Sequence, residues 1–144
     1  ITQAIANAFK KQLLEGDQNF KSSGGDKFKL ALYTSSATLN SATTAYASTN
    51  EVANTGTYTA GGDPLAGQNT SIASGVAIVD FADLSFTGVT LTARGALIYN
   101  TSSAVTNAAV AVLDFGADKT ATSGTFTVQF PAFTTAAAIL RISG

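Results

Sequence analysis

Two short runs in this chain end in Asp-Phe: VAIVDFA, from Val76 to Ala82, and VAVLDFG, from Val110 to Gly116. Brought together, Asp80 and Asp114 could act as general acid and base, as paired carboxylates do in glycoside and peptide hydrolysis. The alternative is structural. Each Asp then stands where a strand leaves the core and accepts hydrogen bonds from turn amides. The residue inventory favours the second reading. The chain has no His and no Cys, which removes the commonest general base, the thiol nucleophile and every His-based triad. Trp, a usual sugar platform, is absent, and so is the Asp-Thr/Ser-Gly signature of aspartic proteases. Asp114-Phe115-Gly116 spells a kinase metal motif, but no Gly-rich nucleotide loop or His-Arg-Asp loop accompanies it. The Gly-rich TAGGDPLAG lacks the Gly-Lys-Ser/Thr ending of a phosphate loop. Asp80 with Asp83, or Asp114 with Asp118, offers hard oxygen ligands for calcium, but neither pair has EF-hand spacing. We therefore expect no enzyme, no cofactor and no metal.

Composition narrows the partners. Of 144 residues, 45% are hydrophobic and 12% charged, with a net charge of −1. A nucleic-acid partner calls for a basic face. Here Lys10, Lys11, Lys21, Lys27 and Lys29 are interleaved with Glu15, Asp17 and Asp26, so no nucleic acid is expected. No apolar stretch nears the roughly 18 residues of a membrane span, and the start lacks the basic-then-apolar pattern of a signal peptide. Asn69-Thr70-Ser71 and Asn100-Thr101-Ser102 match the glycosylation sequon, which carries little weight without a secretory signal.

The elements that would position these residues fall into two classes. Ile1, Ile5, Phe9 and Leu13 recur every four residues, which predicts an amphipathic helix over Thr2–Leu14, with Thr2 as its cap and Gly16 as its left-handed stop. After Gly25 the period becomes two. Phe28, Leu30 and Leu32 alternate with Lys27, Lys29, Ala31 and Tyr33, a half-buried strand. Residues 35–75 form a long Gly/Ser/Thr-rich loop, with strand pieces near Val52 and Tyr58, of a length that points to function. Strands follow at Val76–Phe81, Leu84–Phe86, Val89–Ala93, Ala96–Tyr99, Ala109–Phe115, Thr125–Phe130 and Ala137–Ile142. The two Asp-Phe runs are nearly continuous in apolar residues, so both should be buried on both faces. The sum is one domain, 1–144: an N-terminal helix (1–16) and an antiparallel β-sandwich (27–142), jelly-roll or immunoglobulin-like.

Several phrases carry a resemblance: KLALYTSSATL, TNEVANTGTYTAGGDPLA, ARGALIYN, AVLDFGADKT, GTFTVQFP and AILRIS. Together, over about Phe28 to Ile142, they resemble a family of small virion structural proteins from tailed bacteriophages. The resemblance implies a capsid decoration or cement protein that binds the outer shell. Its partners would be the major capsid protein and further copies of itself, as a trimer on local threefold positions. It would reside in the virion after assembly in the host cytoplasm, which suits a chain without Cys. The alternative is a tail-associated or fibre-like attachment module with exposed loop aromatics, Tyr46 and Tyr58. Candidate interface residues are the helix stripe Ile5, Phe9 and Leu13, those two tyrosines, and the two arginines, Arg94 and Arg141, a residue type enriched at subunit contacts. A loop arm reaching neighbouring subunits would fit the length of 35–75.

Overall fold

The computed structural model describes residues 1–144. It is mostly β, 45% strand against 6% helix, in antiparallel sheets. Its backbone is one long hairpin: β6 (Leu84–Asn100) and β7 (Ala108–Val128) run antiparallel from Leu84 opposite Val128 to Asn100 opposite Ala108. Where the sequence predicts three strands, β6 is continuous. Register shifts at Phe86/Val89 and Ala93/Gly95 absorb Gly88 and Gly95 as irregularities in the ladder rather than ends of it. The polar stretch GADKTATSG also stays in β7, because ladder hydrogen bonds need no apolar side chains when that part of the ribbon faces water.

The hairpin forms the centre of a five-stranded sheet, ordered β1-β7-β6-β2-β3, with β1 at Ala4–Ile5, β2 at Phe28–Tyr33 and β3 at Asp63–Pro64. A second sheet has the order β4-β5-β8, with β4 at Asn69–Ala73, β5 at Val76–Asp80 and β8 at Leu140–Ile142. The β4–β5 turn places Ser74 and Gly75 at φ of 51° and 74°, the conformation that a two-residue hairpin turn demands. Helix α1 covers Asn7–Glu15.

The helix is shorter than its apolar spacing predicts. Ala4 and Ile5 pair with Val112 and Ala111. Ala6 is the extended N-cap, with no side-chain cap. Thr2 donates its amide to Leu39 O at 2.9 Å instead of capping. A free edge on β7 recruits these residues before the helix can begin. Gly16 ends the helix as expected, at φ 81°.

Phe28, Leu30, Leu32, Leu97, Ile98, Val110 and Val112 are all buried at 1% exposure or less. Phe20 stacks on Phe28 at 4.5 Å, and Phe9 and Phe81 meet Phe20 edge-on at 5.9 and 6.3 Å, which anchors the helix and β5 to the core. Strand β2 is not half-buried: Ala31 and Tyr33 on its second face are also covered. The cover is the long loop. Ala45 bridges to Ala108 on β7, Glu51 bridges to Tyr33 on β2, and Val52 N–H donates to Leu32 O at 2.9 Å. The segment thus crosses its own sheet from one edge to the other, with its own Ala37, Leu39, Val52 and Tyr58 buried. It is not a free arm.

Candidate functional site

The two Asp-Phe runs lie on different sheets, β5 and β7. Asp114 Oδ1 accepts the Gly116 amide at 2.9 Å, a local turn, while its own amide donates to Gln3 Oε1 at 3.1 Å. Asp80 Oδ1 is buried with no hydrogen-bond partner in the chain. Of the calcium candidates, Asp83 accepts the Phe130 amide at 2.8 Å, and Asp118 pairs with Arg94 Nε at 2.9 Å. No three His, Cys, Asp or Glu side chains converge.

Polar groups do converge at Glu51, the only charged residue between Lys29 and Asp63. Its Oε2 accepts the Tyr46 hydroxyl at 2.6 Å, and its Oε1 accepts the Tyr58 hydroxyl at 2.7 Å and the Gly61 amide at 2.6 Å. Tyr58 also accepts the Leu32 amide at 2.8 Å. Tyr99 stacks on Tyr46 at 4.7 Å and donates to Gly61 O at 2.5 Å, and Tyr33 donates to Ala47 O at 2.7 Å. All four tyrosines of the chain therefore help tie the loop to the sheet, Tyr46 and Tyr58 through the Glu51 carboxylate and Tyr33 and Tyr99 through loop carbonyls. Burial first, and then Glu51, through its charge at Tyr33 and Tyr99 and through its hydrogen bond and charge at Tyr46, pushes these phenols above the ordinary tyrosine range. Tyr58 moves the same way, chiefly through burial, against the opposing Leu32 backbone bond. Charge-assisted bonds inside a desolvated site are strong and rigid. This is a latch, with its functional groups turned inward and already engaged.

The candidate interface residues divide accordingly. Tyr58 is 1% exposed and Tyr46 is half-buried against Tyr99, so neither stands out as a loop-tip aromatic. Phe9 is buried, while Ile5 and Leu13 are half-buried. Arg94 is spent on Asp118. Arg141 donates to Ala136 O at 2.7 Å and curls back on its own chain. Asn100 of the second sequon is fully buried and donates to Gln18 Oε1 and Asp26 Oδ2 at 2.9 and 2.8 Å.

Apolar surface is exposed elsewhere. A groove of about 290 Å³ runs between the helix side chains Ile5, Phe9 and Leu13 and the β5–β8 side chains Val79, Leu140 and Ile142. The exposed large apolar side chains are Leu14, Ile72 and Ile142, at 89%, 73% and 58%. Ile72, Ala77 and Ile142 are direct cross-strand neighbours across β4, β5 and β8. They form one apolar row running the full width of the small sheet. No sequence pattern marks this row, because each residue sits in a different short segment; Glu51, which the sequence reading does not single out, has a signal in being the one charge in an otherwise neutral loop.

Compared with protein-family models, with curated proteins and with solved structures, the chain matches none of them.

Proposed function

We propose that this chain is a structural protein of a tailed-bacteriophage virion, a decoration or cement protein that seats on the outer shell and stabilises it. The observation that carries the reading is the small sheet: an apolar row laid open at both of its free edges, on a domain whose polar cluster is consumed by internal fastening. Exposed apolar surface of this kind marks contact with other chains. The phrase-level resemblance over Phe28 to Ile142 supplies the kind of assembly. On this reading the partners are the major capsid protein and further copies of the chain in a trimer, the two sheets are layers of a jelly-roll or immunoglobulin-like sandwich, and no reaction is catalysed. Shell stabilisation then comes from avidity, with many modest contacts repeated over a symmetric lattice. The attachment-module alternative relies on Tyr46 and Tyr58 as exposed aromatics, and their inward placement leaves it without that support.

Co-sedimentation of the purified protein with undecorated shells tests the proposal. Saturable binding, with a raised temperature of shell rupture, is the expected result. Failure to bind shells at any protein concentration would contradict it.

A further inference from the structure

We infer that copies of this chain join edge to edge through the small sheet, with β8 of one copy laid beside β4 of the next. The inference rests on the homo-oligomer part of the reading above and names its contact surface. The large sheet has its edges guarded: β1 and Ala45 lie along β7, while β3 and Glu51–Val52 lie along β2. The small sheet is different. Strand β4 pairs only with β5, and so does β8. All five residues of β4 are exposed, and Asn-Thr-Ser-Ile-Ala holds no charge and no proline, the devices that natural edges use against pairing. The Thr70 amide donates to the neighbouring Asn69 side chain, at 2.9 Å.

The occupant follows from the side chains. Thr70, Val79 and Leu140 form one cross-strand row, and its Leu140 end is buried in the core. Two residues along, on the same face, runs the row of Ile72, Ala77 and Ile142. Its two exposed isoleucines stand at opposite outer edges. Setting β8 against β4 of a second copy places Ile142 beside the second copy's Ile72, which covers both and continues the row. Arg141 does not obstruct this. It lies in register with Ile78, so its side chain is on the other face, held by the Thr135 and Ala136 carbonyls. A contact between two different edges is heterologous, the kind that closes into a ring such as a trimer.

The absence of native Cys makes a disulfide scan clean. Ile72→Cys is combined with Arg141→Cys, Ile142→Cys or Ser143→Cys in turn, then oxidised mildly. Within one chain positions 72 and 142 are two strand spacings apart, about 10 Å, too far for a disulfide. The expected result is a covalent oligomer ladder from at least one double variant and only monomer from every single variant. Dimers from Ile72→Cys alone would show β4 paired with itself and overturn the inference. Absence of cross-links in every double variant, while the native chain still sediments as an oligomer, would overturn the edge contact and leave the oligomer standing. A native chain that stays monomeric both in solution and on shells would remove the oligomer and the inference with it. A second variant, Ile72→Lys, should shift sedimentation toward monomer with an unchanged circular dichroism spectrum. An unshifted oligomer would count against the contact.

Discussion

Val76–Asp80 and Val110–Asp114 share Val-Ala at the start and Asp at the end, with only branched aliphatic residues between, yet they have different environments. In β7 the run is covered on both faces: Val110 and Val112 are fully buried, and Ala111 is 3% exposed. In β5 only Ile78 is buried, while Ala77 lies open in the apolar row. The aspartates diverge too. Asp114 fastens a turn, and Asp80 keeps one buried oxygen without a partner. What separates them is the neighbourhood. The β7 run sits between β1 and β6 beneath the long loop, whereas β5 sits between two short edge strands. A near-identical local sequence therefore serves as core in one place and as open surface in the other, which is the tertiary override expected of β segments.

A matched charge insertion separates the two runs by the largest margin. Ala111→Asp places a carboxylate in the core and should cost several kcal/mol, enough to prevent folding. Ala77→Asp should stay within about 0.5 kcal/mol in the monomer, as exposed substitutions do. Urea denaturation followed by tryptophan-free near-ultraviolet tyrosine signal and far-ultraviolet circular dichroism reads both. Equal losses would abolish the distinction.

Next in size is the latch. Glu51→Gln weakens the charged acceptor shared by Tyr46, Tyr58 and the Gly61 amide. It should destabilise by about 1–3 kcal/mol, with hydrogen exchange accelerating first across residues 44–62. Alkaline titration probes the same cluster. The folded phenols titrate above their unfolded range, so the native state holds its protons longer than the unfolded chain does. Their contribution to stability is complete below about pH 10, the ordinary tyrosine value, and declines as pH rises above it. Phenolate absorbance should rise together with loss of the β spectrum. Titration near pH 10 with the fold intact would contradict a buried cluster.

The smallest expected effects separate the two aspartates. Asp114→Ala loses the turn bond to Gly116 and should cost about 1 kcal/mol. Asp80→Ala removes an unpartnered buried oxygen and should be neutral or stabilising. Thermal melts of the two variants side by side would show it, and a larger loss at Asp80 would reveal a partner that the fold itself does not supply.

The all-β class and the helix stop at Gly16 were legible because both write themselves locally, in period-two alternation and in a glycine placed to take positive φ. The alternation of Phe126 and Val128 with Thr125 and Thr127 marks the end of β7 for the same reason, although the strand stops at Val128 and Gln129 and Phe130, which continue the pattern, lie beyond it. Three features were not legible. Gly88 and Gly95 read as strand ends, though a long partner strand carries the ladder through them. Ile1 and Ile5 fit a helical stripe, though the β7 edge claims Ala4 and Ile5. The loop from residue 35 reads as an arm toward neighbouring subunits because its fastenings to its own sheet, Ala45 to Ala108 and Tyr99 to Gly61, join residues far apart in sequence. The exposed row at Ile72 lies outside the candidate interface set for a related reason: its neighbours Ala77 and Ile142 become adjacent only in the folded sheet.

Electron cryo-microscopy of virions carrying this chain tests the central proposal most directly. Symmetric density over the whole shell is expected, with copies grouped around threefold positions and their small sheets meeting edge to edge. Density confined to the tail, or shells bare of the chain, would contradict it.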